Sequence, residues 1–394
     1  MERNIYKKID PHKCPSPCFV VDRDDLETNL KILDSVQKRT GCKILLAQKG
    51  FAMFHFYPLI KQYLAGVCAS GLHEAKLGRE EFAKGSFEKE VHTYSPAFKE
   101  DEFEEIAEIS DHIIFNSFSQ LKKFLPVIKK SNKAVSVGIR INPQHSETET
   151  LIYDPCRPGS RLGVTIENFE EDLLENISGI HFHTLCEKNA DALERTLAVV
   201  EKKFGRFFNK IKWINFGGGH HITRDDYDIE LLCKLITEFR ARYNNIDVFL
   251  EPGEAISLNA GVFISTVVDI VCSAKDCANI AILDCSASTH MPDVLEMPYR
   301  PMIIGSGLPN EKKYTYTLGG CSCLAGDIIG AYSFDKELKP GDKIVFTDMA
   351  HYSMVKTTTF NGVPLPAIVA ASAKNGEYKV IRNFGYTDFK GRLS

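Results

Sequence analysis

The stretch Cys42-Lys-Ile-Leu-Leu-Ala-Gln-Lys49-Gly-Phe-Ala52 decides how the chain is read. Its apolar run, Ile44 to Ala47, ends at a lysine and a glycine, the pattern of a buried parallel strand that presents an amine at its carboxyl tip. Half-desolvation at such a tip disfavours an ammonium and leaves a free amine able to form a Schiff base with an aldehyde. A surface lysine just past a strand is the plainer alternative, so the reading rests on what surrounds the stretch.

Working outward, strand-like runs recur with helical spacers between them. They are 44–49, 66–70, 91–96, 112–117, 135–142, 179–184, 213–219 and 248–253. The spacers at 72–82, 101–109, 117–129, 189–204 and 227–243 carry helical periodicity. Alternation of this kind implies a parallel sheet, and eight units close as a (β/α)8 TIM-type barrel over 23–256. Before it, segment 1–22 ends in a short strand, Cys18-Phe-Val-Val-Asp22, that joins one of the two domains, and a helix is expected over 24–38. After Ile256 the runs VFISTVVDIVC, NIAILDC, KYTYTLGG, DKIVFTDM and EYKVIRNF lack long helical spacers, so 257–394 is expected to be an all-β domain.

Composition sets the broad class. The 394 residues are 44% apolar and 25% charged with a formal net charge of −4, which gives no reason to expect nucleic acid as a partner. No apolar run reaches membrane-spanning length and the first twenty residues lack the core of a secretory signal, so a cytoplasmic protein without a membrane partner is expected. Its 12 cysteines are then reduced thiols. Cys-x-x-Cys does not occur, and the pairs Cys14/Cys18 and Cys321/Cys323 lack matching ligand pairs, so no metal site is expected.

The polar residues fall at the strand tips. Lys49, Ser70, Asn116, Arg140, His183, Gly217, Gly218, Gly219 and Glu251 lie at or just past the carboxyl ends of their runs, the face where barrel enzymes build their sites. The triglycine lets backbone N–H groups approach a phosphate. A carboxylate inside the barrel mouth, Glu251, needs a cation, and a protonated pyridine nitrogen is one. Aldehyde acceptor, phosphate cradle and ring carboxylate together describe a site for pyridoxal 5′-phosphate, with His183 placed against the ring.

These motifs resemble the fold-type III, alanine racemase-like pyridoxal-phosphate decarboxylases, a group that includes ornithine, arginine and diaminopimelate decarboxylases. The resemblance spans nearly the whole chain. It implies Lys49 as the lysine that carries the cofactor, His183 as the ring-stacking histidine, Gly217 to Gly219 as phosphate binders, Glu251 as partner of the pyridine nitrogen, and Arg140 as the arginine behind the cofactor. It further implies a homodimer with shared active sites. In it Cys323, within Cys321-Ser-Cys-Leu-Ala-Gly-Asp327, is a proton donor from the neighbouring subunit, and Tyr352, within Asp348-Met-Ala-His-Tyr352, sits at the phosphate or ring.

Three departures narrow the substrate. Glu254 stands after Glu-Pro-Gly where diaminopimelate enzymes carry arginine, which removes a clamp for a distal carboxylate. Leu324 replaces an acidic residue after Cys323, and the segment from His290 through Asp293, Glu296 and Arg300 is a distinctive acidic insertion. These features are most similar to the polyamine-forming branch of the group, which decarboxylates carboxynorspermidine or carboxyspermidine. Glu254, His290, Asp293 and Glu296 are then expected to bind the substrate's amines. A diaminopimelate or other basic amino-acid decarboxylase, and a non-catalytic homologue that keeps the fold, are the alternatives.

Overall fold

The computed structural model describes residues 4–86, 88–131, 133–271 and 279–394. They form two compact units, Met1–Thr28 with Ser257–Ser394, and Asn29–Ile256. In chain order, β1 (Cys18–Asp22) and the helix Arg23–Thr40 come first. There follow β2 (Lys43–Ala47), β3 (Gly66–Ala69), β4 (Glu90–Tyr94), β5 (His112–Phe115), β6 (Ser136–Arg140), β7 (Gly179–His181), β8 (Trp213–Asn215) and β9 (Asp247–Leu250). Strands β2 to β9 form a closed barrel, as the alternation of runs and spacers leads one to expect. All neighbours pair in parallel, and β2 closes on β9 with Lys43 opposite Phe249 and Ile44 opposite Leu250.

The helices between the strands start where the sequence offers caps. Ser117 Oγ accepts from Gln120 N at 3.3 Å, and Asp228 Oδ1 from Leu231 N at 2.8 Å. Such caps contribute about 1 kcal/mol each. One face of each helix is apolar and buried, for example Leu193, Leu197, Val200 and Phe204 of Ala190–Phe204. Inside the barrel, Leu45, Ile114, Trp213 and Phe249 pack together as an interior layer. Trp213 fills space that its neighbours leave empty, since a Cβ on Gly179 would lie 2.0 Å from the indole and one on Gly138 2.4 Å from it. Its Nε1–H donates to Ser136 Oγ at 2.8 Å.

The second unit contains β1 and β10 (Gly261–Val271), β11 (Asn279–Leu283), β12 (Tyr314–Gly319), β13 (Ile328–Phe334), β14 (Lys343–Thr347), β15 (Ala367–Ser372) and β16 (Glu377–Arg382). The sheet order is β13-β12-β11-β10-β1-β15-β16, with β14 also paired to β10. Strand β1 pairs antiparallel with β10 and parallel with β15, so the N-terminal strand belongs to this sheet. Period-two alternation splits its residues between two cores. Phe19 packs with Phe263, Leu318 and Phe346, while Cys18 and Val20 pack with Val262, Ile264 and Val369. Burial on both faces explains why β1 reads as a continuous apolar run. The expected run ending at Cys272 corresponds to β10, and Cys272 itself lies outside the described residues.

Asp22 ends β1 and starts the following helix, accepting from Asp25 N at 2.9 Å and Ala373 N at 2.6 Å. Burial lifts its carboxyl to about 6 against those two bonds.

Candidate active site

At the carboxyl ends of β7, β8 and β9, side chains lock to one another. Asn215, the last residue of β8, donates from Nδ2 to Glu251 Oε1 at 2.7 Å and accepts from Gly217 N at 2.8 Å through Oδ1. His181, the last residue of β7, places Nε2 3.2 Å from Glu251 Oε2. Glu251 N donates to Gly217 O at 2.7 Å. Glu251 is 8% exposed and His181 2%. Burial opposes the ionisation of Glu251, yet its contacts with His181 and Asn215 hold the carboxyl below the ordinary carboxylate range. Burial pushes His181 down, so the imidazole is a neutral donor through Nε2, and its ring stacks on Tyr94 with centroids 5.6 Å apart.

His183 lies two residues past the end of β7. Its Nδ1 accepts from Gly218 N at 3.1 Å, and burial together with the charges of Lys49 and Arg140 keeps the ring neutral. Arg140 ends β6, is buried, donates from Nη2 to His183 O at 3.3 Å and lies 4.7 Å above the Tyr94 ring. Barrel residues Lys49, Arg140, His183, Gly217 to Gly219 and Glu251 therefore share one rim.

Four placements differ from the expectations above. Lys49 is exposed rather than half-desolvated. What is rigid is its backbone turn, in which Gly50 N bonds Ala47 O at 2.9 Å, Gln48 Nε2 bonds Glu74 O at 2.7 Å, and a Cβ on Gly50 would meet Gly253 at 3.0 Å. In the triglycine, the amides of Gly217 and Gly218 are already engaged inside the barrel, so these two are shaped by packing as much as by any ligand. A Cβ on Gly217, whose φ is +73°, would lie 2.4 Å from Phe182 O. Glu254 has a partner within the barrel, with Oε1 3.3 Å from His221 Nε2, and a bound ammonium would share it. His290 is fully buried in the sheet unit, accepting from Ser286 N through Nδ1 at 3.3 Å and placing Nε2 3.0 Å from Pro364 O, which leaves no ring nitrogen for a substrate.

The remaining candidates of the sheet unit lie on its loops. Cys323 is exposed, with its N–H donated to Asn361 Oδ1 at 2.8 Å. Its loop is shaped by buried Asp327, which accepts from Ala287 N at 2.7 Å, Ser322 Oγ at 2.6 Å and Ser322 N at 3.2 Å. Asp293 Oδ1 and Glu296 Oε2 lie 2.5 and 3.8 Å from Lys356 Nζ. Lys356 Nζ is also 5.8 Å from the centre of the Tyr352 ring. Tyr352 and Asp348 adopt left-handed backbone, φ +52° and +57°, a conformation that costs a non-glycine residue on the order of 1–3 kcal/mol and concentrates at functional segments.

Sequence reasoning missed His181, Asn215 and His221. The first two stand two residues before His183 and Gly217, so strand periodicity puts each on the same face as a residue already singled out. At the other end of the barrel, Glu90, His92 and His112 bring three donor atoms within 4.8 Å of one another, and Lys43 Nζ lies 2.6 Å from Glu90 Oε1.

Comparison with known proteins decides the family. The sequence model described as pyridoxal-dependent decarboxylase, C-terminal sheet domain, matches residues 18–350. The carboxynorspermidine/carboxyspermidine decarboxylase of Campylobacter jejuni is 45% identical, over 98% of this chain and 100% of that protein. The chain belongs to the pyridoxal-dependent decarboxylases. A carboxyaminopropylagmatine decarboxylase of Synechocystis is 44% identical to it over 99% of the chain and 98% of that protein. The solved structure of C. jejuni carboxynorspermidine decarboxylase complexed with norspermidine superposes with a TM-score of 0.86 at 43% identity, covering 96% of this chain and 100% of that one. Helicobacter pylori diaminopimelate decarboxylase, at 17% identity and a TM-score of 0.79, shares the fold.

The rim of this decarboxylase fits pyridoxal 5′-phosphate on its donor set. Glu251 is a buried anion met by the side chains of Asn215 and neutral His181, which carry no charge, and this suits a carboxylate that is to meet a cation. When bound, the cofactor supplies an aldehyde and an electron-withdrawing ring for the charge left as CO2 departs. Lys49 would offer its Nζ to that aldehyde, Glu251 would hold a proton at the ring nitrogen, and the neutral ring of His183 would present an apolar face beside them. Arg140 fixes the backbone of His183 from behind through its carbonyl.

Proposed function

We propose that the chain decarboxylates carboxynorspermidine and carboxyspermidine to norspermidine and spermidine in polyamine biosynthesis, in the cytoplasm, as a homodimer with shared active sites. The full-length 45% identity to the C. jejuni enzyme carries this reading. The chemistry of the chain agrees with it. An acidic residue, Glu254, stands where a carboxylate-binding arginine would favour diaminopimelate, and Asp293 and Glu296 already hold one alkylammonium, that of Lys356. Charge-assisted bonds of this kind are worth about 1.5–3 kcal/mol. Exposed Cys323 suits a proton donor offered to a second subunit.

A second reading has its own support. The Synechocystis relative, at 44% identity, acts by its name on carboxyaminopropylagmatine, in which a guanidine ends the chain. CO2 release from carboxynorspermidine, carboxyspermidine, carboxyaminopropylagmatine, diaminopimelate, ornithine and arginine tests both. The first two should have the highest kcat/KM. Preference for diaminopimelate would overturn the polyamine reading, and preference for carboxyaminopropylagmatine would replace the substrate within it.

A further inference from the structure

We infer that His181 is a positioning residue for the cofactor's ring, a neutral imidazole whose hydrogen bond to Glu251 makes that carboxylate a weak base and so keeps the proton on the ring nitrogen rather than on Glu251. The inference rests on the reading of Glu251 as the partner of that nitrogen.

The strand register brings the groups together. Arg140, His181 and Asn215 stand opposite one another as the last residues of β6, β7 and β8. His181 Nε2 is hydrogen-bonded to Glu251 Oε2 at 3.2 Å, and Asn215 Nδ2 donates to Oε1 at 2.7 Å. The tautomer of His181 follows from its other nitrogen. Nδ1 is buried and has no hydrogen-bonding partner among the described residues, so a proton there would be a donor without an acceptor, and the ring carries its one proton on Nε2, facing the carboxylate. A buried nitrogen without a partner costs stability and asks for a reason. Here the bare lone pair leaves the imidazole uncharged beside an anion. The Tyr94 ring stacks on the imidazole at an interplanar angle of 22° and is itself anchored, its hydroxyl donating to Asn116 Oδ1 at 2.8 Å.

A proton shared between a carboxylate and a ring nitrogen sits on the more basic of the two. Burial disfavours the anion, so burial by itself would make Glu251 more basic than an ordinary glutamate and let it take the proton from the ring. The contacts with His181 and Asn215 reverse this and hold the carboxyl below the ordinary carboxylate range. A lysine or arginine at 181 would also lower it, but as an ion pair that competes with the ring for the same oxygens. The third group against Glu251 is neutral too, because burial and the charge of Glu251 push the Cys68 thiol well up. Arg140, the neighbouring cation, is turned to His183 O at 3.3 Å and to the Tyr94 ring at 4.7 Å. An ionised carboxylate has about four lone-pair sites, so Asn215, His181 and Cys68 leave room for the ring N–H.

Solid-state nitrogen NMR of the holoenzyme, carrying cofactor isotopically labelled at the ring nitrogen, reads the position of the proton directly. Wild type should give the signal of a protonated ring. His181→Leu should move that signal toward the unprotonated position and lower kcat for CO2 release about tenfold or more, the lower end of what a hydrogen bond to a charged group is worth, with KM changed little. His181→Gln, whose amide reaches the place of Nε2, should restore both the signal and kcat. His181→Asn, whose amide ends near the place of Nδ1, should restore neither. Should His181→Leu fail to fold, the Gln and Asn variants still decide the matter, since the inference requires them to differ. A fully protonated ring in His181→Leu, or a Gln variant no better than the Asn variant, would overturn the inference. Failure of the underlying reading shows separately, as a Glu251→Gln holoenzyme whose ring stays as protonated as in wild type.

Discussion

Glu251 in the barrel and Asp327 in the sheet unit are both buried carboxylates, but they are satisfied in different ways. Asn215 and His181, from β8 and β7, approach Glu251 as side chains. Asp327 is met by the backbone N–H groups of Ala287 and Ser322 and by the Ser322 hydroxyl. A carboxylate filled by backbone donors is consumed in shaping a loop, here the one that displays Cys323. A carboxylate set by two neutral side chains keeps its charge for a ligand. The barrel thus contains the electrostatics of its chemistry ready-made, while the sheet unit presents groups.

Three experiments break or sharpen that contrast. The largest effect should come from the barrel. Lys49→Ala should remove nearly all activity and the absorbance band of protein-linked cofactor while leaving a folded protein, because the residue is exposed and its turn is held by backbone bonds. Borohydride reduction and peptide mapping of wild type should place the label on Lys49, and label elsewhere would refute the assignment.

Next comes the displayed thiol. Cys323→Ala should be poorly active. When its chains are exchanged with those of Lys49→Ala, up to about a quarter of wild-type sites should return, since a symmetric dimer gives some heterodimers one intact site. No recovery despite proven exchange would show that Cys323 does not serve the neighbouring subunit.

The smallest effect concerns pH. Burial holds His290 neutral and pushes it down to about 4, so its folded-state pKa lies below the ordinary 6.5. Above 6.5 it contributes no pH dependence. Between 6.5 and 4 the unfolded chain takes the proton first, and stability falls by up to roughly 1.4 kcal/mol per pH unit. His290→Gln should therefore lose less stability than wild type on going from pH 7 to pH 5 in chemical denaturation followed by circular dichroism. Equal losses would mean that the histidine is hydrated in the folded protein.

The barrel was legible because each of its strands is an apolar run broken by a polar tip, a local pattern that needs no partner to be read. The sheet unit was read less fully. Strand β15 is built of Ala367-Ile-Val-Ala-Ala-Ser372, whose small residues give little strand preference, and β13 carries Gly330 at φ +154°. Neither was among the expected runs, and the pairing of β1 depends on residues more than two hundred positions away, which no local pattern encodes. At the site, ends of strands revealed Glu251 and His183. The side chains that approach Glu251 and Glu254, His181 with Asn215 and His221, were hidden because they come from other strands and loops. His290 misled because an acidic insertion looks exposed in sequence, while the fold turns this ring inward beside Phe263.

Trp213 is the single tryptophan of the chain, and it is buried on the floor of the barrel against two glycines, with the His112 ring centroid 5.0 Å from its own. Intrinsic fluorescence excited at the indole is therefore a one-site optical reporter. It registers loosening of the barrel floor and is silent on the sheet unit, so the order in which the two units melt can be followed in the unlabelled protein by comparing indole emission with the far-ultraviolet signal of the whole chain.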